Sequence, residues 1–198
     1  MKIKSMPVYG FISIVLGLCL PVPRTSAADD VVAGRTSFSL AAAKPQTLTE
    51  PQASAADASN TTGVIAANKK SIAFHQKSIR LAVHTGPGND MLSYRIDGLR
   101  NPTLVVPRAS TLKVLFINND DDMFHDIRFG AWQSAFPTSA GGLIKASVGS
   151  DPLPHIDGTT MHATDMVIKA PSQAGKYAYF CTVRGHAPGG MWGIVEVR

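Results

Sequence analysis

Short runs of apolar residues, separated by turn-forming residues, follow one another from Ser71 to the end of the chain. Turns are indicated by Gly-Pro-Gly-Asn at 86–89, Asp-Gly at 97–98 and Asn-Asn-Asp at 118–120. No stretch repeats its apolar residues with a helical period, so the pattern favours strands. The predicted strands cover residues 79–83, 91–96, 103–106, 112–117, 124–129, 143–148, 166–169, 177–180 and 192–197. Strands of this number and spacing predict one all-β sandwich domain over residues 71–198.

The N-terminal segment has the pattern of an export signal. A basic start at Lys2 and Lys4 precedes an apolar run over residues 8–20, and small residues follow up to Ala27. This order predicts a signal peptide over residues 1–27. The alternative is an uncleaved membrane anchor, although the apolar stretch is shorter than the ~20 residues that usually span a bilayer. In either case the rest of the chain is predicted to be exported.

Residues 28–70 have the composition of a linker. Ala, Ser and Thr are frequent among them, and Phe38 is their only aromatic residue. A segment that buries so little apolar surface does not offset the entropy cost of ordering its backbone. We therefore predict a disordered spacer between the N-terminal segment and the β domain.

The two cysteines of the chain, Cys19 and Cys181, exclude several classes of protein. They are too few for a disulfide scaffold, an all-cysteine zinc site or a four-cysteine iron–sulfur cluster. The formal net charge of +5 includes three basic residues within 1–27 and would be +2 without that segment. Nucleic acid is therefore not expected as a partner.

The residues that carry chemistry are concentrated near the C-terminus, in the sequence YAYFCTVRGHAPGGMWGIVEVR. Cys181 ends a predicted strand, His186 and Met191 follow on the loop, and the last strand begins at Trp192. A thiolate and a thioether are soft ligands and an imidazole is borderline, so together they favour copper over the hard cations. A blue-copper electron-transfer site needs two histidines, so one more must come from elsewhere in the chain.

The candidates for this histidine are His75, His84, His125, His155 and His162. His125 follows an Asn/Asp turn at a predicted strand start, which places it at one end of the sandwich. The loop ligands lie at a strand end too, so His125 is the preferred choice. The other four are interpreted as non-ligands, although a second metal site formed by His155 and His162 stays open.

The chain resembles the blue copper proteins, or cupredoxins, and among them the rusticyanin-like type. The likeness rests on the spacing of the ligand loop, its GHA..GM core and the sequence NPTLVVPRASTLKVLFINND before His125. The resemblance implies a cupredoxin-like Greek-key β-sandwich that binds one type 1 copper ion through His125, Cys181, His186 and Met191. It also implies single-electron transfer by Cu(II)/Cu(I) cycling in a periplasmic respiratory chain, and no enzyme activity.

Three residues are expected to tune the copper site: Asp120, Phe124 and Trp192. Proteins of the rusticyanin type carry asparagine at the position of Asp120. An aspartate can accept the same hydrogen bonds, but it adds a negative charge. Phe124 and Trp192, with Tyr179 and Phe180, are expected to pack around the metal and exclude water, which raises the reduction potential.

Ala187, Pro188 and Gly189 are small and uncharged, and they are expected to form an exposed rim on which a partner docks. The resemblance implies a c-type cytochrome or a terminal oxidase as that partner. The domain is expected to be a monomer, with membrane contact only through an N-terminal anchor.

An enzyme and a copper-binding protein of another kind are the alternatives to electron transfer. A multicopper oxidase needs His-x-His pairs, a copper nitrite reductase needs a second cupredoxin domain, and a binuclear copper centre needs two loop cysteines; none fits this sequence. A copper carrier or storage protein, or a copper subunit that assists a terminal oxidase, stays open as the alternative. A carrier would need a more open set of ligands than a rigid sandwich offers.

Overall fold

The computed structural model describes residues 35–139 and 141–198. Within these residues the chain forms, in order, β1 (Ser39–Thr49), α1 (Glu50–Ser54), a short 3₁₀ helix (Ala56–Ser59), β2 (Val64–Ile65), β3 (Ser71–Ala73), β4 (Ser78–Thr85), β5 (Tyr94–Ile96), β6 (Leu99–Arg100), β7 (Thr103–Val106), β8 (Thr111–Asn118), β9 (Arg128–Ala131), α2 (Gly141–Lys145), β10 (Ser147–Gly149), β11 (Thr160–Lys169), β12 (Gly175–Phe180) and β13 (Trp192–Val197). None of the helices described here has the length and hydropathy to cross a membrane.

The strands form two sheets that pack as a sandwich. The first sheet has the order β1-β11-β8-β4-β5-β6, and the second has the order β10-β9-β12-β13-β7-β3-β2. Strands distant in sequence are neighbours in both sheets, and β4–β8, β7–β13 and β3–β7 are parallel pairs. The predicted all-β sandwich is confirmed.

The core lies between the two sheets because the inward positions of the central strands carry large apolar residues. In β8, the side chains of Leu112, Val114 and Phe116 are fully buried, while Lys113 between them is exposed. In β13 the inward residues include Val195 and Val197. Each such aliphatic side chain contributes about 1.5–3 kcal/mol when buried. This rigid core supports the loops at the ends of the strands.

Three predicted strands differ from the structure. Of the run at 91–96, only residues 94–96 form a strand, β5. The run at 143–148 divides into α2 and β10. Its first part is mostly exposed, and Leu143 packs against an apolar cluster outside the core that includes Phe136 and Phe180. The run at 124–129 forms a strand only from Arg128 onward. Before it, His125 makes an isolated bridge with Leu153, since the turn at Asp120 leads the chain away from the sheet.

The prediction of a disordered linker over residues 28–70 is wrong for much of the described part. β1 pairs with β11 from Ser39 to Thr49, and Phe38 is buried with its ring 5.5 Å from the rings of Phe129 and Tyr177. The strand is held mainly by backbone hydrogen bonds and most of its side chains are exposed, so it lacks the apolar alternation that indicates a strand. The predicted signal peptide or anchor over 1–27, with Cys19, lies outside the described residues.

Candidate metal centre

Four side chains from three places in the chain meet at one end of the sandwich. His125 precedes β9, Cys181 directly follows β12, and His186 and Met191 lie on the loop that leads into β13. Nδ1 of His125 is 3.1 Å from Sδ of Met191 and 3.2 Å from Nδ1 of His186. Sγ of Cys181 is 3.5 Å from the same His186 nitrogen. The structure therefore brings the four predicted ligands together.

The cluster is closed to solvent. The exposed fractions are 0% for His125, 1% for Cys181, 8% for His186 and 0% for Met191. Burial and the neighbouring His125 lower the pKa of His186 to about 4, although Asp120 acts in the opposite direction. The His186 ring is therefore neutral at neutral pH and has a nitrogen lone pair to offer.

The loop from Cys181 to Met191 is fixed by its own backbone hydrogen bonds. The N–H of Cys181 donates to the carbonyl of Met191 at 3.1 Å, and the N–H of Met191 donates to the carbonyl of His186 at 3.0 Å. Gly190 has φ = 114°, in a region that side chains disfavour, so glycine is required there for the tight return into β13. The donor atoms are held in place by the loop itself.

Asp120 orients the ring of His125. Its Oδ2 lies 3.0 Å from Nε2 of His125, and its Oδ1 accepts the backbone N–H groups of Asp122 at 3.0 Å and Met123 at 3.1 Å. Burial raises the pKa of Asp120, but these hydrogen bonds outweigh it and the net pKa is below the usual value. Because the carboxylate is ionised, Nε2 carries the ring proton and Nδ1 presents a lone pair to the cluster.

A second carboxylate links His125 to the cysteine loop. Asp126, the residue after His125, is fully buried and accepts the backbone N–H of Thr182 at 2.5 Å and also its hydroxyl group. Burial raises the pKa of Asp126, while the hydrogen bonds from Thr182 lower it in part. The hydroxyl of Tyr94 donates to the carbonyl of Asp126 at 2.5 Å. The segments that carry His125 and Cys181 are thus tied together beside the cluster.

Two asparagines that the sequence pattern does not mark as functional, Asn118 and Asn101, complete the frame. The amide nitrogen of Asn118 lies 3.0 Å from the carbonyl oxygen of Leu153, the bridge partner of His125. The amide of Asn101 donates to the carbonyl of Gly190 at 2.9 Å and its oxygen accepts the N–H of Tyr94 at 2.8 Å. In the sequence, each of these asparagines is a polar residue at the end of a strand. Many unrelated turns have such a residue, so the pattern does not identify them.

The expected packing around the cluster is only partly correct. Tyr179 is buried in the same apolar cluster as Cys181 and Met191, but Phe180 belongs to a separate outer cluster with Phe136. Phe124 is 49% exposed, with its ring edge-on to His155 at 6.1 Å. The expectation that Phe124 excludes water from the site is wrong, because the turn before it directs the ring outward. Trp192 is half-buried and stacks on Phe136, with ring centres 5.4 Å apart, on the outer side of the sheet.

The predicted docking rim is smaller than expected. Pro188 and Gly189 are exposed. Ala187 is only 2% exposed because it belongs to the outer apolar cluster that includes Phe136 and Phe180. The exposed rim near His186 therefore consists of Pro188 and Gly189.

The remaining histidines stay apart from the cluster. His84 contacts Asn119 and Asp57, and His155 contacts Ile156 and Phe124. Across residues 35–139 and 141–198, no cluster of three potential ligands contains His75, His84, His155 or His162. The acidic run at 120–122 is a turn with two exposed members.

The donor atoms fit a metal of intermediate softness. Two imidazole nitrogens, a thiol sulfur and a thioether sulfur converge. The two nitrogens lie 3.2 Å apart. Burial, with the nearby charge of Asp126, raises the pKa of the Cys181 thiol, so a bound cation is needed to favour the thiolate. This donor set fits copper, and it lacks the oxygen ligands that hard cations require.

The sequence matches a known protein family and is similar to rusticyanins. Residues 64–198 match the sulfocyanin (SoxE) domain family. Rusticyanin from Acidithiobacillus ferrooxidans is 32% identical over 121 residues, which cover 57% of this chain and 70% of that protein. Rusticyanin from Acidithiobacillus ferridurans is 31% identical over 121 residues, covering 57% of this chain and 58% of that protein.

Solved structures of rusticyanin have the same fold. Reduced rusticyanin, solved at 1.9 Å, superposes with a TM-score of 0.69 at 23% identity and covers 78% of this chain and 100% of that one. The 1.27 Å structure of rusticyanin from Thiobacillus ferrooxidans gives a TM-score of 0.67 at 23% identity, with coverages of 78% and 97%. The predicted cupredoxin-like sandwich is therefore confirmed.

Proposed function

The chain belongs to the sulfocyanin (SoxE) domain family of rusticyanin-like cupredoxins, and we propose that it carries single electrons in a periplasmic respiratory chain through one type 1 copper ion. The observation that carries this proposal is the buried convergence of His125, Cys181, His186 and Met191. Two histidines, one cysteine and a weak axial methionine are the donor set of blue-copper electron-transfer sites.

These four residues would hold the ion, which supplies one-electron Cu(II)/Cu(I) chemistry when bound. The chain's own part is to keep the donor atoms still. Asp120 fixes the ring of His125, Asp126 fixes the backbone after Cys181, and Asn101 fixes the carbonyl of Gly190. A site whose donors move little between two charge states exchanges electrons with a low reorganisation cost.

Two opposing effects set the reduction potential of such a site. Burial among apolar side chains disfavours the higher charge and raises the potential. The ionised carboxylate of Asp120, in contact with His125, favours the higher charge and lowers the potential. We therefore propose a potential below that of the same site with asparagine at position 120.

A copper carrier is less well supported than an electron-transfer protein. A carrier must release its metal to a partner, which requires accessible ligands, and here three of the four side chains are at most 1% exposed. The family to which the chain belongs consists of electron-transfer proteins, so we propose no enzyme activity.

The periplasmic location and the partners are proposals from the sequence. The order of basic, apolar and small residues over 1–27 supports export, with or without cleavage. By resemblance, the proposed partners are a c-type cytochrome and a terminal oxidase. Cell fractionation with N-terminal sequencing of the natural protein tests the location: a cytoplasmic chain that begins at Met1 would contradict it.

The electron-transfer proposal is tested by the spectrum of the copper-loaded protein beside a Cys181→Ser variant. The wild type is expected to show the intense blue absorption of a copper–thiolate bond, which the variant loses although it still folds. The matched control is Thr182→Ser, which keeps the hydroxyl group and the thiolate. A colourless protein that binds only Cu(I) would contradict electron transfer and favour a carrier.

A further inference from the structure

Within residues 35–139 and 141–198, part of the outer face of the second sheet forms open grooves. The loop before α2 places Phe136 on Phe180 and Trp192, which covers the side of β12. On the side of β13 and β7, the outward residues Ile194 and Thr103 are half-buried and line open grooves. This surface forms a trough along β13.

The trough consists of two adjoining grooves with volumes of about 440 and 850 Å³. Thr103 and Ile194 line both of them, so the grooves lie side by side at these two residues. Together they extend from Gly190 and Trp192 at one end to Arg198 at the other.

One end of the trough reaches the proposed copper site. Gly190 and Trp192 form part of its wall, and both are chain neighbours of Met191. Asn101 also lines this end and donates to the carbonyl of Gly190 at 2.9 Å. A molecule that binds in the trough would therefore contact the residues on either side of a proposed ligand.

Of the charged side chains along the trough, five are basic and one is acidic. The cations that line it are Lys70, Arg100, Arg108, Lys176 and Arg198. Glu196 is the one acidic side chain among the lining residues, and it pairs with Arg198 at 2.9 Å. In the part of the chain that the structure describes, no ion pair involves Lys70 or Arg108, one at each half of the trough.

We propose that the trough is the docking site for an acidic segment of a protein partner, which it orients beside Trp192 and Met191. The inference rests on the proposed function in one respect: the partner is taken to be the protein that exchanges electrons with this one. Charge complementarity would speed the encounter and fix its orientation. The rim of Pro188 and Gly189 carries no charge and cannot select a partner in this way.

The test is a titration of the full chain, labelled with ¹⁵N and loaded with Cu(I), with a short polyglutamate peptide, followed by NMR at low and high salt. Amide signals of Thr103, Trp192 and Ile194 are expected to shift, and the shifts should weaken as salt screens the charges. The double variant Lys70→Glu/Arg108→Glu is expected to raise the dissociation constant about tenfold, which corresponds to two exposed ion pairs.

A matched double variant, Lys113→Glu/Lys145→Glu, makes the same charge change away from the trough. Lys113 is exposed on the other sheet and Lys145 is exposed at the end of α2. If the control weakens binding as much as the trough variant, or if the shifts lie elsewhere, the proposal is overturned. Preferential binding of an oligonucleotide of equal charge, or self-association through the trough without peptide, would also overturn it.

The two proposals fail in different ways. Peptide binding at the trough by a protein without blue absorption would contradict the electron-transfer function and leave the acidic docking site standing. A blue, reversibly reducible protein whose trough signals do not respond to the peptide would contradict the docking site alone. Thermal unfolding of each variant confirms that a loss of binding is not a loss of folding.

Discussion

The carboxylate of Asp120 lies 3.0 Å from Nε2 of His125, and neither side chain has appreciable contact with solvent. One oxygen of Asp120 contacts the ring, and the other closes the turn that precedes His125. A single carboxylate thus sets both the backbone path and the ring tautomer of a proposed copper ligand.

Replacement of Asp120 by asparagine is expected to raise the reduction potential. The variant removes a buried negative charge, and two unit charges about 6–8 Å apart, the separation expected across an imidazole ring, interact by about 2–3 kcal/mol at an effective dielectric of about 20. The amide also has one oxygen instead of two, so it cannot accept from both His125 and the turn. Voltammetry at a fixed neutral pH measures the effect.

The control for this prediction is Asp121→Asn, which makes the same charge change at an exposed position of the same turn. An equal rise in potential for both variants would show that only general charge matters. The hydrogen bond between Asp120 and His125 would then have no part in setting the potential.

Loss of the Thr182 hydroxyl is expected to destabilise the fold. Thr182→Val leaves the buried carboxylate of Asp126 with one hydrogen bond fewer, and an unsatisfied buried acceptor costs about 1–3 kcal/mol. Chemical denaturation measures the free energy of unfolding. Thr160→Val is the matched change at an exposed strand position, and equal stability losses for the two variants would disprove the role of Asp126.

Asn101 is expected to stabilise the ligand loop through its side chain. Asn101→Gly removes the hydrogen bonds to Gly190 and Tyr94, and we expect a loss of about 1–2 kcal/mol in unfolding free energy. Asn101 has φ = 43°, a backbone conformation that alanine disfavours. The alanine variant should therefore be about 1 kcal/mol less stable to unfolding than the glycine variant. A glycine variant as stable as the wild type would refute this role.

Acid is expected to weaken the ion pairs of Asp90. The hydrogen bond from Arg100 lowers the pKa of Asp90 below its ordinary value, against an opposing effect of burial, and Ser93 also donates to it. Because the folded pKa is depressed, the stabilisation is present above the unfolded pKa of about 3.8 and is lost as the pH falls through the folded pKa.

The variant Asp90→Asn isolates this contribution. It should be less stable than the wild type at neutral pH by no more than about 1 kcal/mol, since the pair is partly exposed, and the difference should vanish in strong acid. Asp151→Asn, at an exposed carboxylate, provides the comparison. A stability difference that persists unchanged in acid would contradict the assignment to the Asp90 pairs.

The strands and loops that depend on neighbouring residues in the sequence were predicted correctly. The strand at 103–106, the last strand at 192–197 and the loop that joins Cys181 to Met191 agree with the structure, because apolar alternation and residue spacing determine them directly. The predicted contact between His125 and this loop is also present in the structure. It could be predicted because the strands of a β-sandwich end together at the two ends of the domain.

The remaining differences come from long-range packing. β1 was missed because its stability depends on pairing with β11, about 120 residues later, and its own side chains are mostly exposed. Phe124 and Ala187 were assigned the wrong exposure because the direction of a side chain in a loop follows from neighbours such as His155 and Phe136. Contacts between residues distant in sequence produce no repeating apolar pattern, so the sequence pattern does not predict them.

The central claim is that His125, Cys181, His186 and Met191 hold one copper ion that exchanges a single electron. The most direct test is a potentiometric titration of the copper-loaded full chain, followed at its blue absorption. We expect one copper per chain, a one-electron Nernst curve, and full recovery of the colour on reoxidation. Release of copper on reduction, or colour that does not return, would contradict the claim.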